Sequence, residues 1–204
     1  MSAPPPTREP GAWTWTTVTR DGAPIKIRPL RRDDAQREIA FIDSLSERSR
    51  HFRLFTPLKY LSPDLLSQFM DVDYDRRMAL VATVGAGDDE EFVGIARYGA
   101  TDRSDQAELG VTVTDAWQRR GIATLLIRPL MRFAQAHGFR RLTGIVLPDN
   151  HAMLALARSL GFAIDYESAE HAMKITHELG RRRIRLRKAR LFTLCRARKC
   201  AVCS

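Results

Sequence analysis

Long apolar runs are what this 204-residue sequence most plainly lacks. No stretch approaches the roughly 18 residues of a membrane helix, which argues against a membrane role. The N-terminal MSAPPPTREPGAW has neither a basic n-region nor an apolar h-region, so a secretory signal is excluded and a cytoplasmic protein is expected. Cysteine is scarce: Cys195, Cys200 and Cys203 all lie near the C-terminus. The remainder therefore has no disulfide framework and no thiol nucleophile. The three are one ligand short of a zinc site, and His177 lies well upstream, so no metal is expected.

Acid is missing from one region only. Residues 181–204 hold ten Lys or Arg and no Asp or Glu, leaving 23 basic against 24 acidic residues before them. The net charge of +9 is thus an appendage on a neutral body. The tail is expected to be solvated and disordered, with weak nucleic-acid contact as the alternative. Residues 1–11 are Pro-rich and read as a disordered N-terminal segment, so residues 12–180 are the domain.

Within that domain TTVTRDGAPIKIRPL predicts a hairpin turning at Asp21-Gly22. Asp33, with Gln36 three residues on, predicts a helix start, and Ile39, Ile42 and Leu45 its apolar stripe. Ser62-Pro63 opens a short helix through Phe69. Strands are predicted over 78–84, 92–100 and 107–113. A helix follows over 122–137, ended by Gly138 and interrupted or kinked by Pro129. Then come a strand over 142–147, a helix over 150–160 ended by Gly161, and a strand over 172–179. Antiparallel strands followed by strand–helix–strand–helix make a single α/β domain with a mixed sheet.

The stretch VTVTDAWQRRGIATLLI (111–127) hands a β-branched run to a helix through two arginines and a glycine. Unpaired N–H groups and partial positive charge at a helix start make an anion cradle. Gly121 lets an anion approach the backbone, and Ala123 keeps the next turn small. On its own this serves equally as an ordinary strand-to-helix turn.

AELGVTVTDAWQRRGIATLLI and NHAMLALARSLGF together resemble the GNAT superfamily of N-acetyltransferases. Gln118, Gly121 and Ala123 match its Q/R-x-x-G-x-G/A signature, Asn150 its helix-opening asparagine, and Gly161-Phe162 its closing pair. IRPLRRDDA, LSERSRHFRLFTPLKYLS, VDYDRRMALVA and MLALARSLGF are similar to the acetyltransferase domain of Pat-type bacterial protein lysine acetyltransferases, a likeness running from about Ile25 to Glu178.

The resemblance implies an α/β (α+β) fold: one mixed, mostly antiparallel sheet flanked by helices. Its central strands would be splayed, often at a bulge. It implies acetyl-CoA as cosubstrate. The pyrophosphate would rest on the N–H groups of Arg119, Arg120, Gly121, Ile122, Ala123 and Thr124, and the pantetheine arm along Val111, Thr112 and Val113. Asn150 would bond the pantetheine, or serve only as a helix cap.

Glu108 is the candidate general base. Partial burial would raise its pKa towards neutrality, whereas the alternative is a charge on the solvent face of a strand. Ala157 stands where many relatives carry a tyrosine acid, so no general acid is named. Asp71, Asp73 and Asp75 read as a solvated acidic loop, or as a patch facing a cationic lysine. Ser49, Arg50 and Arg53 read as an acceptor rim or as partners of nearby acids. The expected acceptors are lysines of proteins such as acyl-CoA synthetases. A small-molecule amine, or a non-catalytic acyl-CoA sensor, stays open.

Overall fold

A computed structural model describes residues 13–55 and 61–180; the expected disordered N-terminal segment (1–11) and the basic tail with its cysteines lie outside these. The described residues form eight strands and five α-helices. The first half holds β1 (Trp15–Val18), β2 (Pro24–Pro29), α1 (Ala35–Asp43), α2 (Glu47–Leu54), α3 (Pro63–Met70), β3 (Arg77–Val84) and β4 (Glu91–Ala100). The second holds β5 (Gln106–Val113), α4 (Ile122–Ala136), β6 (Arg141–Val146), α5 (His151–Ser159), β7 (Ala163–Glu167) and β8 (Ala172–Glu178). One sheet results, ordered β1-β2-β3-β4-β5-β6-β8-β7, antiparallel except where β5 meets β6. No described helix is long and apolar enough to cross a membrane.

Both faces of the sheet centre are covered, which explains the unbroken apolar run of β3. Met78, Leu80 and Ala82 face one core with α4, while Ala79 and Val81 face a second with Phe41, Ile42 and Leu45. Helix α4 turns Ile122, Leu126, Leu130 and Phe133 inward, the spacing of one helical face. It runs unbroken through Pro129. Gly138 takes φ 88° after it, as the C-cap signal predicts.

Three features differ from the sequence reading. A 3-10 turn over Arg32–Asp34 precedes α1, and Asp34, not Asp33, stands at its N-cap. The Asp34 carboxylate is drawn inward by Arg28, whose Nη1 and Nη2 reach it at 2.7 and 2.8 Å. Helix α2 has no apolar stripe; it is set by Ser46, which caps Ser49 N–H, and by Phe55 at φ 57°. Strand β7 escaped notice because AIDYE is largely exposed at the sheet edge.

Arg28 is fully buried and also pairs with Glu90 at 2.6 Å. Lys26 and Thr83 reach the same carboxylate at 2.8 and 3.1 Å. This network ties β2, the entry to α1 and the β3–β4 turn into one body. Burial pushes Glu90 up, but the hydrogen bonds from Arg28 and Lys26 outweigh it and hold the carboxyl at about 2.

Candidate active site

Strand β5 pairs with β6 only at Gln106–Arg141, Ala107–Leu142 and Glu108–Thr143. Against β4 it continues to the pair of Gly94 with Val113. Past Glu108 the two central strands part. No bulge in β5 causes this, since its register against β4 is unbroken; the one shift lies between Ala82 and Thr83 of β3.

Antiparallel pairs alternate between bonded and non-bonded. Thr101 N–H donates to Gln106 C=O, and Thr114 N–H to Val93 C=O, which fixes the phase. Gly110 and Thr112 therefore spend their backbone groups on β4, while Val111 and Val113 aim theirs into the gap. Thr112, expected to meet the pantetheine arm beside them, turns its backbone the other way. Val113 C=O accepts from the Gln118 side chain at 3.1 Å, leaving the Val111 amide and carbonyl as the pair open among the described residues.

The parting faces the start of α4. The helix's first bond runs from Leu125 N–H to Gly121 C=O, so the N–H groups of Ile122, Ala123 and Thr124 have no carbonyl partner among the described residues. Arg119 at φ 62° and Gly121 at φ 87° curl the preceding loop, as in anion-binding nests. A Cβ at Gly121 would lie 3.2 Å from Arg20 Cγ and 3.3 Å from its Nε. The open donors fit a phosphate group, while the space beside the absent Cβ is taken by the Arg20 side chain.

The two arginines of the motif divide their work. Arg119 lines the cleft with no side-chain partner among the described residues. Arg120 is engaged elsewhere: Nη1 lies 3.2 Å from Asp21 Oδ2, and its guanidinium stacks on Trp117 at 4.7 Å. Gln118 also points away from any phosphate, bonding Ser49 Oγ at 3.1 Å. Ser46 and Ser49 in turn hold Asp115 at 2.8 and 2.7 Å. The motif thus fastens α2 to the end of β5. Asn150, a residue of the same cleft, caps α5 by accepting from Met153 N–H at 3.1 Å; its Nδ2 has no partner among the described residues.

Glu108 lies on the opposite face of β5 from the α4 core, and the cleft of about 1160 Å³ includes it. The sequence reading gave it partial burial; the structure exposes it. Its cross-strand neighbours are Gly99, which has no side chain to cover it, and Thr143. It makes no hydrogen bond or ion pair among the described residues. Two residues on, Arg53 Nη1 lies 3.0 Å from where a Gly110 Cβ would stand. Arg53 and Arg97 both stack on Phe69, at 4.8 and 4.4 Å, and Arg97 pairs with buried Glu38 at 2.7 Å. Burial, then Arg97, push the Arg53 guanidinium down to about 10, so it remains a cation at neutral pH.

The other conspicuous residues are largely occupied. Asp71 pairs with Arg77 at 2.7 Å, and Asp73 caps the amides of Asp75 and Arg77. Arg50 binds the carbonyls of Asp43 and Leu45. Tyr98 borders the cleft but donates to Asp75 C=O at 3.1 Å, and burial pushes its hydroxyl well above the ordinary range. Ala157 is buried. The sequence signal for Arg20 is its place beside the Asp21-Gly22 turn, at a hairpin tip.

A sheet that parts beside a helix-start amide cradle defines an acyltransferase of the acyl-CoA-dependent kind. The chain belongs to the acetyltransferase (GNAT) family, whose model matches residues 43–162; the family uses acetyl-CoA as cosubstrate. It is 38% identical over 165 residues to acetyltransferase PA5475 of Pseudomonas aeruginosa, covering 81% of this chain and 88% of that one. To acetyltransferase Pat of Mycolicibacterium smegmatis it is 31% identical over 146 residues, which span 70% of this chain but only 42% of Pat. The GNAT domain of Streptomyces lividans PAT superposes with a TM-score of 0.76 at 30% identity, covering 83% of this chain and 99% of that domain.

Proposed function

We propose that this chain transfers the acetyl group of acetyl-CoA to lysine ε-amines of proteins, acyl-CoA synthetases among them, with Glu108 as general base. The likeness to Pat supports the protein acceptor. The observation that carries the chemistry is Glu108 itself: an exposed carboxylate with no hydrogen bond or ion pair among the described residues, on β5 just ahead of the parting.

A lysine amine with a pKa near ~10.4 is almost wholly protonated at neutral pH, and freeing it costs about 4–5 kcal/mol. In the reaction the neutral amine nitrogen attacks the thioester carbonyl carbon. A C–N bond forms while the carbonyl oxygen gathers charge, which the open Val111 N–H stabilises. Collapse breaks the C–S bond, and coenzyme A leaves as thiolate. Glu108 has taken the ammonium proton before the attack, and the nitrogen sheds its second proton to solvent, completing the amide. A thiol of pKa near ~8.5 leaves without an acid. The amides from Arg119 to Thr124 and the Asn150 Nδ2 hold the cosubstrate through the reaction.

The test is to incubate pure protein with labelled acetyl-CoA and a cell extract, then locate the label by mass spectrometry. Label on protein lysines is expected. Label confined to small amines would overturn the acceptor assignment, and no label at all would overturn the transfer.

A further inference from the structure

The β1–β2 hairpin reaches across to the loop ahead of α4. Its tip is drawn tight by Thr19, which is buried, bonds the Asp21 carboxylate, and accepts from Ala23 N–H at 3.0 Å. Arg20 N–H donates to Arg120 C=O at 2.9 Å, and Asp21 takes the Arg120 guanidinium. Two contacts therefore join a turn and a loop about a hundred residues apart in the chain.

The exchange has an electrostatic result. The charge of Arg120 is matched by Asp21 and turned onto Trp117. The Arg20 side chain instead lies across Gly121, its Cγ, Nε and Cδ within 3.2–3.5 Å of the absent Cβ. Arg20 borders the cleft, and its guanidinium has no hydrogen bond or ion pair among the described residues. The open amides of Ile122 to Thr124 begin at the same glycine.

We propose that Arg20 is a phosphate-binding residue, delivered by the hairpin to the pyrophosphate of the acyl-CoA cosubstrate. This rests on the acetyl-CoA reading of the cleft. The guanidinium supplies a charge-assisted contact beside the backbone donors, in the place that Arg120 would otherwise fill. Asp21 has the complementary task of holding Arg120 aside, so the hairpin both brings one cation and diverts another.

The experiment compares the full chain with Arg20→Met and Arg20→Lys by titration calorimetry against coenzyme A and against pantetheine, which has the same arm without phosphates. Arg20→Met should weaken coenzyme A about tenfold and leave pantetheine within twofold, with Arg20→Lys between the two. Coenzyme A affinity within twofold of wild type in Arg20→Met would overturn the assignment. So would equal losses for both ligands, which would make the hairpin only a prop for the loop. Failure of the unaltered chain to bind coenzyme A at all would instead remove the cosubstrate reading on which the assignment stands.

Discussion

Replacing Glu108 by Gln separates proton removal from every other property of the site. The side chain is exposed and makes no hydrogen bond or ion pair among the described residues, so its loss should move stability by no more than about 0.5 kcal/mol. The amide keeps the size and polarity but cannot accept the proton. General bases contribute about 10²–10⁴-fold, or roughly 3–5 kcal/mol of barrier, close to the deprotonation cost of a lysine amine. The expected result is therefore a kcat lowered by that factor, with KM for acetyl-CoA and the melting temperature unchanged. A pH series supplies a second check. Without a base, turnover should track the free-amine fraction, rising about tenfold per pH unit below ~10, and the variant should approach wild type in alkali. The assay is thiol release on a lysine acceptor identified by the labelling experiment. A Glu108→Gln enzyme within threefold of wild type at neutral pH, or one slowed equally at every pH, would refute the reasoning.

Further outcomes follow from the geometry. Gly121→Ala must hold a side chain at φ 87° and displace Arg20; it should cost about 1–3 kcal/mol and weaken coenzyme A binding, read by thermal unfolding and calorimetry. Asn150→Asp keeps the oxygen that caps Met153 N–H but has no amide donors, so it should leave the melting temperature unchanged while weakening coenzyme A; Asn150→Ala should lower both, the cap alone contributing about 1 kcal/mol. Arg28→Met leaves Asp34 and Glu90 buried without their cation, which should cost about 3–5 kcal/mol in urea denaturation. The carboxyl of Glu90 sits at about 2 in the fold against 4.5 unfolded. Its contribution is thus complete above pH ~4.5 and lost as pH falls through ~2; wild type should lose urea resistance over that window and Arg28→Met should lose less.

The parts of the fold legible in the sequence were those with strong local signals. The Asp21-Gly22 turn, the Ser62-Pro63 start, the glycines at 138 and 161 and the apolar runs of β3 to β6 placed most elements within a residue or two. What was hidden depended on distant partners. Whether Asp33 or Asp34 stands at the start of α1 is decided by Arg28 across the sheet. Helix α2 carries ERSRHFRL, with no periodic stripe, and rests on Ser46 and on the Asp115 carboxylate. Strand β7 is an exposed edge with no burial pattern to betray it. At the site, the Q-R-R-G-I-A stretch gave away the cradle, but not the division of its side chains: nothing local shows that Asp21 claims Arg120, or that Gln118 turns to Ser49. The exposure of Glu108 depends on Gly99 of the neighbouring strand, which no local signal around Glu108 shows.

The family model begins at residue 43, yet β2 lies inside the sheet, with Ile27, Arg28 and Leu30 wholly shielded from water. A fragment trimmed to the matched region would strip β3 of its neighbour and abandon Glu90 without its guanidinium. A clone that starts at residue 43 should therefore emerge as insoluble material.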